Sequence, residues 1–313
     1  MSKKERKSPE ESPSRRAFLK KMGLAAGAVA MAGGGLGLAR ALAGDGKTGE
    51  QVRVMTTDGK VVAVDSSAIA ERTASEMASE GREGLRGKKF VMVIDLSRCR
   101  NARKCMLACQ DHHELRPEQH HINVLTMQDS PQTAPYHMPK PCFHCDNPPC
   151  TKVCPVDATY KRQDGIVLID NERCIGCRFC IAGCPYSARV FHWHHPLKNS
   201  PEERARPYDV EANVPQRLGT ITKCLFSADK VRLGELPSCV SACPNGVFYF
   251  GDVNEDAVTN GTTKQTVRFS ELIRDNHGYT YFEDLGTLPQ VFYLPPKNRV
   301  FPFEESSEET IEE

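Results

Sequence analysis

Fourteen cysteines punctuate this chain of 313 residues, and eight of them fall in one stretch from Cys142 to Pro185. It reads CFHCDNPPCTKVCP and, after a short connection, CIGCRFCIAGCP. Each run offers three closely spaced thiols, then a fourth thiol followed by proline. That is the ligand layout of paired cubane iron–sulfur clusters, in which three thiolates of one run wrap a cluster and the fourth crosses to the other. The spacing therefore assigns Cys174, Cys177, Cys180 and Cys154 to one 4Fe-4S cluster. Cys142, Cys145, Cys150 and Cys184 take the second.

The six remaining cysteines fall into register when the chain is aligned on itself. The segment ending Arg98-Cys99 matches the one ending Arg173-Cys174 at an offset of 75 residues, which sets Cys105 on Cys180 and Cys109 on Cys184. Position 102, the counterpart of Cys177, is Ala. Likewise Cys224, Cys239 and Cys243-Pro244 match Cys142, Cys150 and Cys154-Pro155, with Ser227 standing for Cys145. The frame has places for four clusters, and two ligands are missing. Crossing the fourth cysteines as before gives one outer site of Cys99, Cys105 and Cys243 with Ala102 at the vacancy. The other has Cys224, Cys239 and Cys109 with Ser227. Alanine cannot coordinate, so the first site is expected to hold a 3Fe-4S cluster. Ser227 could ligate through oxygen, so the second is expected to hold a 3Fe-4S or a 4Fe-4S cluster. A half without any cluster is the plainer alternative.

Other uses of the thiols fit less well. Zinc favours paired knuckles with four ligands per ion, and thiols two residues apart make a poor disulfide scheme. Arg98, Arg100, Arg103, Lys104, Lys152, Arg173, Arg178 and Lys223 lie beside the motifs; some are expected to favour the reduced clusters, about half to be solvated surface charge. Two histidine groups, His112, His113, His120 and His121, and His192, His194 and His195, are expected on loops or the surface. His144, inside the Cys142–Cys145 turn, is placed to tune its cluster by hydrogen bonding. No phosphate-binding loop, triad or acid–base pair accompanies them, so no catalytic residue and no direct small-molecule substrate is expected.

This frame resembles the four-cluster electron-transfer subunits of the complex iron–sulfur molybdoenzymes, which include those of DMSO, polysulfide, tetrathionate and arsenate reductases. The iron–sulfur partner of formate-dependent nitrite reduction is similar. The likeness covers residues 89–254. It implies an α+β, loop-rich fold of tandem ferredoxin-like dicluster modules related by pseudo-twofold symmetry. It also implies a molybdopterin catalytic subunit, a quinone-reactive membrane subunit, or both, as partners, the chain itself being a non-catalytic electron carrier. Two alternatives are an electron-transfer subunit of a membrane redox complex without a molybdopterin partner, and a zinc- or disulfide-built interaction module.

The elements that must position the thiols follow from pattern. Phe90–Asp95, with Lys89 before it, reads as a buried strand and residues 105–115 as a short helix. Residues 158–170 read as a hairpin turning at Asp164-Gly165, and residues 189–193 and 246–250 as strands. Residues 194–215 read as a polar surface insertion. Outside this domain, residues 1–43 resemble a twin-arginine signal: Ser14-Arg15-Arg16-Ala17-Phe18-Leu19-Lys20, a Gly/Ala-rich run, then Ala41-Leu42-Ala43 for cleavage. A periplasmic location, reached in the folded state, is the expectation. Those 43 residues hold nine Lys/Arg against three Asp/Glu, leaving 32 and 37 in the remainder; nothing there favours nucleic acid. Residues 44–88 are read as an extension, with a hairpin around Asp58-Gly59 and a helix within 66–86. Residues 255–303 are read as a wrapping segment and 304–313 as an acidic, solvated tail.

Overall fold

The computed structural model describes residues 51–55, 61–65 and 80–297. The signal-like segment, the Asp58-Gly59 turn, most of the 66–86 stretch and the acidic tail lie outside them. Two units are distinguished, Met1–Arg72 and Thr73–Glu313. In the first, β1 (Gln51–Met55) pairs antiparallel with β2 (Val61–Asp65), Gln51 opposite Asp65.

The second unit begins with a helical turn at residues 80–83 and is centred on β3 (Phe90–Asp95), every residue of which is buried. Alternate side chains of a strand face opposite sides, and here both sides are covered. Phe90, Met92 and Ile94 join the large core that holds the cysteines. Val91 and Val93 join a smaller one with Tyr249, Val258 and Leu294. β3 is followed by α1 (Lys104–His112) and the hairpin of β4 (Asn123–Met127) with β5 (Tyr136–Lys140). Then come α2 (Pro149–Lys152), β6 (Thr159–Lys161), β7 (Val167–Ile169), α3 (Phe179–Ala182) and β8 (Arg189–Phe191). The rest comprises α4 (Pro201–Ala205), β9 (Ile221–Lys223), α5 (Ala228–Arg232), α6 (Ser238–Ala242), β10 (Phe248–Asp252), β11 (Ala257–Asn260), β12 (Thr266–Arg268), α7 (Phe269–Asp275), β13 (Tyr279–Thr280) and β14 (Val291–Leu294).

A six-stranded sheet runs in the order β12-β11-β10-β3-β14-β13. The stretch beyond Asp252 therefore supplies four of its strands. Read from sequence as a wrapping segment, it instead enters the sheet: β14 lies parallel to β3, Val291 opposite Met92. Pro289, Pro295 and Pro296 flank β14 without interrupting it, because proline cannot donate to a ladder.

The two repeats build the same local parts. β6 pairs with β7, Thr159 opposite Ile169. β10 pairs with β3, Phe248 opposite Ile94, the counterparts of those residues. At the entry to the first motif Asp95 accepts from Ser97 N at 3.0 Å and pairs with Arg98 at 3.0 Å. At the entry to the second, Asp170 accepts from Glu172 N at 2.9 Å and lies 3.6 Å from Arg173.

The 194–215 insertion departs from its sequence reading. Its first half is exposed, but Val210, Ala212 and Asn213 are buried. Glu211 forms an ion pair with the fully buried Arg162, which also pairs with Asp164 in the β6–β7 turn. A polar composition hid this because the buried charges neutralise one another inside the protein.

Candidate iron–sulfur centres

Three of the four thiol sets line cavities of their own. Cys154, Cys174, Cys177 and Cys180 surround one, lined also by Ile169 and Ile221. Cys142, Cys145, Cys150 and Cys184 line a second, together with Phe143, Tyr186 and Arg189. Cys99, Cys105 and Cys243 line a third, and Ala102 lines it with them. The groupings are those the spacing assigns. The wrapping loop of the first site depends on Gly176: its φ is +70°, and an added Cβ would lie 2.1 Å from the Gly219 carbonyl oxygen, so only glycine can sit there.

In the fourth set, Cys109, Cys224 and Cys239 are all buried. Ser227 is buried too, and its hydroxyl oxygen accepts from Ser238 N at 3.2 Å, at the start of α6.

The thiol chemistry argues for metal. Burial pushes Cys105 and Cys145 up to about 12. After burial, Cys243 and Cys99 raise Cys105, while Cys142, Cys150 and Cys184 act on Cys145. Thiolates gathered this closely need positive charge in their midst, which cluster iron supplies. A single tetrahedral ion would bring its sulfurs to within about 4 Å of one another, given a zinc–sulfur bond near 2.3 Å. Among the described residues no three cysteine sulfurs lie within 4.8 Å of one another. All fourteen cysteines are free thiols. Thus neither zinc knuckles nor disulfides describe the array.

Two buried donors point the same way. Arg189 donates through Nη1 to Thr159 Oγ1 at 3.0 Å, while its Nη2 has no protein partner. Burial alone would lower its pKa, but Cys150, Cys180 and Cys142 outweigh burial and hold it up. His144 Nδ1 accepts from Val167 N at 3.1 Å, so the ring proton sits on Nε2, which is also unpartnered. Orphaned buried donors are rare, and cluster sulfur is an acceptor that both could use. The residues present therefore fit 4Fe-4S clusters at the two complete sites.

The charges expected near the motifs divide. Arg100, Arg103, Lys104, Lys152, Arg173 and Arg178 are exposed. Lys223 is fully buried and donates to the Val167 and Cys224 carbonyls. Arg189 was missed by sequence reasoning because no cysteine adjoins it. The expectation that the histidines lie on the surface holds for His194 and His195 but not for His113, His121 and His192, which are buried. Each buried ring has a polar partner, Ala212, Thr222 and Gln119 respectively, and these lie far away in sequence.

Comparison with known proteins adds a direct finding. Residues 133–200 match the model of the 4Fe-4S dicluster domain. A selenate reductase subunit of Mesobacillus selenatarsenatis is 35% identical over 245 residues, 74% of this chain and 80% of that protein. The chain belongs to the 4Fe-4S dicluster family of iron–sulfur subunits. The iron–sulfur cluster-binding subunit of menaquinone reductase from Nitratidesulfovibrio vulgaris is 35% identical, covering 66% of this chain and 88% of its own. A tetrathionate reductase subunit of Salmonella typhimurium is 31% identical, covering 69% and 76%. In this dicluster protein the matched residues include both complete thiol sets.

Proposed function

We propose that this dicluster protein is a non-catalytic electron carrier. It would pass single electrons between a quinone-linked membrane subunit and a catalytic redox subunit of the molybdopterin type. The carrying observation is that three separate cavities are each lined by their own thiol set within one protein unit. The named relatives, subunits of selenate, menaquinone and tetrathionate reductases, support a place in a multi-subunit reductase. The matching registers and Asp–Arg entries of the two repeats support tandem modules with pseudo-twofold symmetry. The twin-arginine-like segment supports export to the periplasm.

At the two complete sites the residues would hold 4Fe-4S clusters, and at the Ala102 site a 3Fe-4S cluster. Bound clusters supply one-electron chemistry. The chain's own task is to place them, limit their contact with water, and set their potentials with Arg189, His144 and backbone N–H groups. An exposed edge lies at Cys177, flanked by exposed Ile175, Phe179 and Trp193. Arg178 lies over the Trp193 ring at 5.0 Å. An apolar rim around a solvent-facing ligand suits docking of the catalytic subunit.

EPR of the anaerobically purified protein tests the cluster content. An oxidised three-iron signal and reduced cubane signals are expected; two cubanes alone would overturn the three-iron assignment. Mild-detergent pull-down of the exported protein tests the partners, with a membrane subunit and a molybdopterin protein expected. Recovery as a free monomer from cells grown on the reductase substrate would sink the complex.

A further inference from the structure

The fourth thiol set is built unlike the other three. α3 stops at Ala182, ahead of Cys184-Pro185, since a proline disfavours helix in the residue before it. α1 runs on through Cys109 to His112, because Gln110 stands where the repeat has Pro185. The extra turn carries His113, four residues past Cys109, onto the same side of the helix axis. In the repeat frame His113 matches Ala188, which bounds the cavity of the complete Cys142 site. An imidazole thus replaces a methyl group in the half that has lost a ligand.

His121 approaches the same sulfur from the loop after α1. Its Nδ1 lies 3.7 Å from Cys109 Sγ. One ligand atom from each of Cys109, His113 and His121 lies within 4.8 Å of the other two. The three residues are 6%, 1% and 2% exposed. Both rings are held from behind. His113 Nδ1 donates to the Ala212 carbonyl at 2.8 Å, which leaves the Nε2 lone pair free. His121 Nε2 lies 2.7 Å from Thr222 Oγ1, which also accepts from Asn213 Nδ2 at 3.1 Å. Backing of each metal-binding imidazole by a hydrogen bond is the usual support of a metal ligand. Ser227, meanwhile, is engaged with Ser238 N.

We propose that Cys109, His113 and His121 bind a single transition-metal ion of the zinc–copper class, where the repeat frame allots a fourth iron–sulfur cluster. One thiolate and two imidazoles form a ligand set suited to either metal. The thiol gives its proton to solvent as the metal–sulfur bond forms. The site does not depend on the electron-transfer role.

Elemental analysis of the full chain, purified anaerobically with its clusters, tests the proposal. Two cubanes and a three-iron cluster bring about eleven irons, and about one zinc or copper ion per chain is expected beside them, the analysis itself identifying which. Cys109→Ser and His121→Ala should each lose that ion and leave iron unchanged. Thr222→Val, which keeps the shape and removes the hydroxyl, should weaken retention against a chelator by roughly 10–100-fold; unchanged iron reports that the fold survives. Three results would each overturn the proposal. They are iron near fourteen or more with no other metal, a loss of three or four irons in Cys109→Ser, or no second metal at all.

Discussion

Around Cys177 the backbone takes two left-handed turns, with Gly176 at φ 70° and Arg178 at φ 65°. Around Ala102, Asn101 and Arg103 do the same, both at φ 54°. Left-handed backbone costs a non-glycine residue about 1–2 kcal/mol, and such conformations persist where their surroundings impose them. The half that lacks a thiol at this position nevertheless keeps the ligand loop. At Ser227 the comparison comes out otherwise. Phe226 and Ser227 are left-handed as His144 is, but the Ser227 side chain has turned to a backbone donor and histidines crowd the neighbouring cysteine. One vacancy keeps the form of a cluster site; the other has been rebuilt. His144 and Phe226, counterparts in the repeat, stack face to face with ring centroids 3.7 Å apart. The two halves thus meet through equivalent residues, one polar and one apolar.

The largest effect should come from breaking the complete half. Cys180→Ser removes one of four thiolates from a cubane at the exposed end and should lose about four irons per chain, against about three for the matched Cys105→Ser. Iron and sulfide analysis of the two variants side by side measures this. Equal losses of four would mean that the incomplete site holds a cubane after all.

A second contrast concerns how each half closes. In the complete half β6 and β7 are joined by a short turn, braced by Arg162 against Asp164 and Glu211. In the other half β3 and β10 come from distant parts of the chain and rely on the added strands β11 and β14. Arg162→Met leaves two buried carboxylates without their shared cation, although Arg232 still reaches Glu211 at 2.5 Å. Loss of one partner of a buried ionic group costs about 3–5 kcal/mol. An anaerobic denaturant titration with clusters in place should register it; a change under about 1 kcal/mol would show that the turn does not depend on the brace.

The thiol groupings that line three cavities are those suggested by the spacing of the cysteines, which lie within a few residues of one another in each run. The strand at Phe90–Asp95 was legible because its core is apolar, and the strand read at residues 246–250 forms two residues later, at Phe248–Asp252. Distance in sequence hid the rest. Nothing local to Val291–Leu294 says that it will pair with β3, and nothing near Arg189 says that it will face three thiols. His113 and His121 read as loop residues because their partners, Ala212 and Thr222, lie 99 and 101 positions away. Gln110 was the available signal: without a proline after this fourth cysteine, the helix runs on through Cys109 to His112.

The smallest expected change is also the sharpest test of the contrast between the vacancies. Ala102→Cys adds a thiol to a loop already shaped like that of Cys177, beside the cavity lined by Cys99, Cys105 and Cys243. No backbone rearrangement is needed, so thermal stability should stay within about 0.5 kcal/mol. The iron content should rise by about one, and the three-iron EPR signal should give way to that of a cubane. Ser227→Cys is the control. There the new thiol must forgo the hydrogen bond to Ser238 N and meet a site occupied by imidazoles, so it should add no iron. If both substitutions added iron equally, the two vacancies would be alike and the distinction between a kept and a rebuilt site would fall.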